Sequence, residues 1–187
     1  MFIILSVIIS ALYVQVGSFD QYSKSSSSKP YFEVLTDRLE ELENNNQLFD
    51  FSGLKVRKVN KTRSFIGDIV LINPLGDDIF LEIAAYIKQG GEYRLMPYRI
   101  PPSPFCSFCA NDTYVYPDLS RNSDFPEDIV ANCPLQPKSY KFNGVVYRLE
   151  NLPKSAMQSG DYALEGCFKR DGIILNKFRI YATIIQI

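Results

Sequence analysis

The chain has 187 residues, 46% of them hydrophobic and 22% charged, and a formal charge of −1. That is globular composition with length for one sizeable core, and the near-neutral balance gives no sign of the basic face a nucleic-acid binder carries. The sequence has no histidine, which removes serine–histidine and cysteine–histidine catalysis and histidine-ligated metal. With no G-x-S-x-G elbow either, we expect no enzyme and no cofactor.

Taken in order, residues 2–16 form an almost unbroken apolar run that ends at Gly17 and Ser18. A spanning helix needs about 20 such residues, so residues 1–18 read as a secretory signal. The run has no Lys or Arg before it, and an uncleaved anchor is the alternative. Residues 19–30 are polar and serine-rich, a flexible leader. Residues 31–187 then read as a single domain. Residues 31–36 suggest a first strand. Residues 37–46, D-R-L-E-E-L-E-N-N-N, have helix-forming composition but suit equally the polar end of that strand and a turn. Residues 55–59 make a short basic strand within the run Lys55, Arg57, Lys58, Lys61 and Arg63, which reads as a contact for lipid head groups or an anionic membrane surface or, as alternation alone gives, as a solvated strand face. In residues 64–72, Phe65, Ile69 and Leu71 share one face, and Asn73-Pro74-Leu75-Gly76 supplies a turn. Residues 79–88 give the clearest period of two, with Ile79, Leu81, Ile83, Ala85 and Ile87 opposite Glu82 and Lys88. Gly90-Gly91 turns this strand into residues 92–100.

A long crossing over residues 101–137 follows and leads into a short aromatic stretch. Strands are then expected at 144–149 and 160–169, a turn at Asp171-Gly172, and a last strand at 173–187. In that last strand Phe178, Ile180, Ala182 and Ile184 oppose Lys177, Arg179 and Thr183. Seven or eight short strands with turn residues between them predict an all-β fold, an antiparallel sandwich or barrel.

Cys106, Cys109, Cys133 and Cys167 are an even set. Behind a signal peptide they predict two disulfides among three possible connectivities. Cys106 and Cys133 bracket the crossing, and joining them closes a loop worth about 3–4 kcal/mol in the chain-entropy model. Cys109 and Cys167 would form the second bridge. Cys106-Ser107-Phe108-Cys109 is formally C-x-x-C, but the redox reading needs a helix beginning at the first cysteine, and the sequence shows prolines before it and no amphipathic pattern after it. A four-cysteine zinc site is the other formal option, disfavoured in a secreted chain. Asn60-Lys61-Thr62 and Asn111-Asp112-Thr113 fit the N-glycosylation rule.

Several segments in this order carry a resemblance. They are V-R-K-V-N-K-T-R-S-F-I-G-D-I (56–69), I-A-A-Y (83–86), P-F-C (104–106), F-P-E-D-I-V-A-N-C-P-L (125–135) and S-G-D-Y (159–162). Together they resemble the arthropod branch of the ML lipid-recognition superfamily, which includes the CheB chemosensory group and is distantly similar to the ganglioside-activator protein. The resemblance runs from about residue 31 to the C-terminus. It implies an immunoglobulin-like sandwich whose sheets part around a hydrophobic ligand, extracellular action, and for the CheB group a part in detecting cuticular or pheromonal compounds. Cys109 is a departure, since it adds a cysteine behind the usual Phe-Cys.

The expected function is therefore binding or presentation of a lipid or long-chain semiochemical, with a membrane receptor as a further partner. The expected cavity lining is Phe65, Ile69, Leu71, Leu81, Ile83, Ala85, Ile87, Leu164, Phe178, Ile180 and Ile184. The same pattern describes a close-packed core, and so an extracellular immunoglobulin-like interaction module without a ligand is the alternative.

Overall fold

The computed structural model describes residues 32–44, 48–59, 62–113, 116–144 and 158–186. The expected signal segment, the leader, Asn60 of the first sequon and nearly all of the strand expected at 144–149 lie outside these residues. Within them the chain is an antiparallel β-sandwich. One sheet has five strands, ordered β1 (Phe32–Asn44), β9 (Ile173–Gln186), β8 (Gly160–Arg170), β5 (Phe80–Gln89) and β6 (Glu92–Pro104). The other is built around β4 (Thr62–Leu71), which pairs with β2 (Phe49–Asp50), β3 (Leu54–Val59) and β7 (Lys138–Asn143).

Both tight hairpins follow from their turn residues. Gly90 and Gly91 take φ of 61° and 90°, and Asp171 and Gly172 take 51° and 78°, the left-handed region that two-residue hairpin turns demand. β2 and β3 lie along the same edge of β4 and are separated by the turn at Phe51–Gly53. Gly67 faces that turn with φ of 115°, and a Cβ there would stand 2.1 Å from the Gly53 carbonyl oxygen. Only glycine fits.

Of the two readings of residues 37–46, the described part, residues 37–44, follows the second and continues the first strand rather than forming a helix. β1 runs on to Asn44, paired with β9 as far as Asn176 through two register shifts, between Thr36 and Arg38 and between Glu41 and Glu43. Tertiary pairing overrides a weak local propensity. β6 likewise continues past Ile100 to Pro104 along β5.

The core fills the space between the sheets. Leu81, Ile83, Ala85, Leu164, Phe168, Phe178 and Ile180 come from the five-stranded sheet, and Phe65, Ile69, Leu71, Tyr140 and Phe142 from the other. Asn176 ties β9 to β2. Its Oδ1 accepts the backbone N–H groups of Leu48 (3.1 Å) and Phe49 (3.0 Å), and its Nδ2 donates to the Phe49 carbonyl (3.4 Å).

The crossing contains two short helices that the sequence reading did not anticipate, α1 (Phe105–Asn111) and α2 (Tyr116–Arg121). α1 begins beside Cys106, where no helix was expected. Asp77 fixes its first turn, accepting the Ser107 N–H (2.9 Å) and the Ser107 hydroxyl (2.7 Å). Burial acts to raise the Asp77 pKa, but these hydrogen bonds outweigh it and hold the carboxyl below its ordinary value. A seven-residue helix pinned by a distant aspartate leaves no periodic signature to read.

Candidate functional site: an aromatic cavity and the crevice beside it

An apolar cavity of about 50 Å³ lies between the sheets at the end covered by the crossing. Phe49 and Phe51 reach it from the β2 edge, and Ile69 and Phe142 from the second sheet. Phe168 and Phe178 come from the five-stranded sheet, and Leu39 from β1. Phe105, Cys109, Tyr116, Leu119 and Phe125 close it from the crossing. The rings form a connected belt. Phe49 meets Phe168 at 5.2 Å between centroids, Phe51 meets Phe178 at 5.5 Å, and Phe105 meets Phe168 at 6.0 Å. These are tilted arrangements typical of packed aromatic pairs.

Of the expected lining residues, Ile69 and Phe178 face this cavity. Phe65, Leu71, Leu81, Ile83, Ala85, Leu164 and Ile180 are buried in the surrounding core, packed against other side chains. Ile184 is buried beyond that central cluster, and Ile87 is only half-buried toward the β5–β6 hairpin. Strand alternation identifies which side chains point inward. It carries no information about where along the sandwich the space stays open, and here that place is set by aromatic residues from turns and the crossing. The aromatic residues close to Cys106 in the sequence, Phe105, Phe108, Tyr114 and Tyr116, are the signal that sequence reasoning passed over.

A second, larger hollow of about 420 Å³ opens outside the cavity, between α1, α2 and the loop from Glu127 to Val130. Asp112, Arg121, Glu127 and Asp128 give it polar walls, and Pro117, Ile129 and Val130 apolar ones. Cys109 and Tyr116 belong to both hollows and form the partition between them. The Tyr116 hydroxyl donates to the Pro126 carbonyl (2.7 Å), and its backbone N–H donates to Asp112 Oδ2 (2.8 Å). Burial pushes the Tyr116 hydroxyl well above its ordinary pKa. Burial, followed by the nearby Asp112 carboxylate, does the same to the Cys109 thiol. A thiol held protonated in this way is a small apolar wall group and offers no thiolate nucleophile.

Cys106 and Cys133 are joined, with Cα atoms 6.2 Å apart, and the bridge anchors the crossing as expected. The second expected bridge is not formed, and Cys109 and Cys167 are both buried free thiols. The reason is strand geometry. On β8, Leu164 and Phe168 point into the sandwich, so Cys167 points to the outer face of the sheet. There it sits among Lys169, Glu82 and Lys177, while Cys109 faces the interior. The same separation rules out a four-thiolate metal site. Asp77 lies close to the sulfurs of Cys106 and Cys133, but bridged sulfurs present no thiolate to a metal. Asn111 of the second sequon is exposed at the end of α1, and its Nδ2 donates to the Ser107 carbonyl (2.7 Å).

Residues 81–164 match the model of a family described as a protein of unknown function, DUF1091. The match covers β5, β6, the whole crossing, β7 and the first half of β8, and so includes the disulfide and both helices. No curated protein matches the chain.

Proposed function

We propose that this is a secreted carrier of hydrophobic molecules, a lipid or long-chain semiochemical, related to the arthropod ML lipid-recognition proteins. The observation that carries the reading is the aromatic cavity at the end of the sandwich, together with the motif order described above. A disulfide-anchored crossing that covers an apolar hollow suits a protein whose two sheets part around a chain-like ligand. The cavity as it stands is far smaller than an engineered interior cavity of about 150 Å³ that holds benzene, so the Phe rings and the crossing must move apart to admit a chain. Each methylene then buried contributes about 0.8 kcal/mol toward that opening. A chemosensory role, with presentation to a membrane receptor, extends the same reading.

The small cavity also favours a second reading, an extracellular interaction module with an essentially solid core, close-packed as interiors usually are. Native mass spectrometry and lipid extraction on protein secreted from insect cells separate the two. The carrier reading expects a stoichiometric apolar adduct, or uptake of acyl chains by the bare protein. Gly166→Ala sharpens the test, because its Cβ would stand 2.4 Å from the Phe178 ring and drive that ring toward the cavity. We expect the variant to fold at a cost of about 1–3 kcal/mol and to lose ligand. A bare protein that takes up no chain overturns the carrier reading in favour of the module.

A further inference from the structure

The partition between the two hollows is thin. Cys109 from α1 and Tyr116 from α2 have the apolar cavity on one side and the crevice on the other. The cavity of about 50 Å³ has no room for a chain-like molecule together with its polar end, whereas the crevice of about 420 Å³ does. We propose that the crevice is the mouth and head-group site of the cavity, and that it selects long-chain molecules whose polar end donates hydrogen bonds and carries no negative charge. This rests on the carrier reading above and names its ligand class.

The charge arrangement carries the selectivity. Asp112, Glu127 and Asp128 all line the crevice. Among the described residues the one cation in its walls, Arg121, is held by Asp118 at 3.0 Å from outside the crevice. A carboxylate or phosphate head would meet three like charges and a guanidinium whose charge is already offset, and like-charge juxtaposition is what excludes a wrong partner. A hydroxyl or ammonium head finds acceptors instead. The first methylenes lie along Ile129 and Val130, the latter 68% exposed at the rim. The tail passes where the Tyr116 ring now stands. That ring is packed in the cavity wall, and its one polar contact is the hydroxyl bond to the Pro126 carbonyl, which a rotated ring gives up to water or to the ligand head.

The test uses the full secreted protein and displacement of a fluorescent apolar probe by n-alkanols, from octanol to dodecanol, and by the matching carboxylates. We expect alkanols to displace better than carboxylates by about tenfold, with affinity rising about fourfold per methylene until the opened cavity is filled. Ala110 is exposed and lines the crevice but not the cavity. Ala110→Trp should weaken alkanol binding about tenfold by filling the mouth, with an unchanged circular dichroism spectrum. Glu127→Lys should move the carboxylate-to-alkanol ratio about fivefold toward carboxylate, and it carries the test alone if the tryptophan variant does not fold. Chains that bind the natural protein, yet with an order and affinity that neither substitution moves, overturn the crevice as mouth while leaving the carrier reading standing. A natural protein that binds neither probe nor chain overturns both.

Discussion

At the scale of single residues, Asn176 carries more than its place in a strand suggests. It sits on the inward face of β9 and answers two backbone donors and one acceptor at the start of the second sheet. Asn176→Leu keeps the branching and the number of heavy atoms and strands the N–H groups of Leu48 and Phe49 away from water. A buried unsatisfied donor costs about 1–3 kcal/mol, so we expect urea unfolding to report a loss of at least that size, with Asn176→Asp losing less. This role was not legible in the sequence, because its partners lie 127 and 128 residues away and nothing local announces them. Cys167 is the opposite case. Leu164 is one of the expected inward-facing residues, and a residue three places further along a strand must face the other way. That arithmetic alone separates Cys167 from Cys109 and argues against the second bridge.

At the scale of elements, the strands with regular alternation and strong turn residues were legible to within a residue or two. β5, the β8–β9 turn and the Gly90-Gly91 hairpin are the plain examples. β1 was legible at its start, residues 31–36, but its polar continuation suited a helix as well as a strand, and its partner β9 decides its length. The cavity was legible as a set of inward-facing positions and illegible as a place, since α1, α2 and the loop at Phe125 that close it have no period. The crossing that holds them is fastened by one bridge with a sequence separation of 27. Replacing Cys106 and Cys133 by alanine should lower stability by about 3–4 kcal/mol, measured by denaturant unfolding. Without reduction, thiol labelling should tag two cysteines per chain, Cys109 and Cys167, and only after unfolding. Four labels, or none, would refute the single bridge.

At the scale of the whole molecule, the outer face of the five-stranded sheet is a lattice of charges. Glu165 on β8 meets Lys177 (3.0 Å) and Arg179 (2.5 Å) on β9, Glu82 on β5 meets Lys169 on β8 (2.5 Å), and Asp161 meets Lys88 (3.4 Å). Burial tends to raise the Glu165 pKa, but the Arg179 and Lys177 hydrogen bonds overcome it and hold the carboxyl below its ordinary value of 4.5. A carboxyl depressed on folding contributes stability that is fully present above its unfolded value and lost as pH falls through the folded one. Thermal melts should therefore be flat from neutrality down to about pH 4.5 and fall below it. Glu165→Gln should shallow that acid limb. The pairing of β1 with β9 has a consequence for how the protein is made. Phe32 lies against Gln186 and Glu40 accepts from the Tyr181 hydroxyl, so of the described strands the first to leave the ribosome is partnered by the last. Until the last is translated, the β1 edge has no neighbour in its own sheet, and an unpaired edge is an invitation to the wrong partner. Successful synthesis then depends on keeping that edge apart from other chains for as long as the ribosome takes to finish.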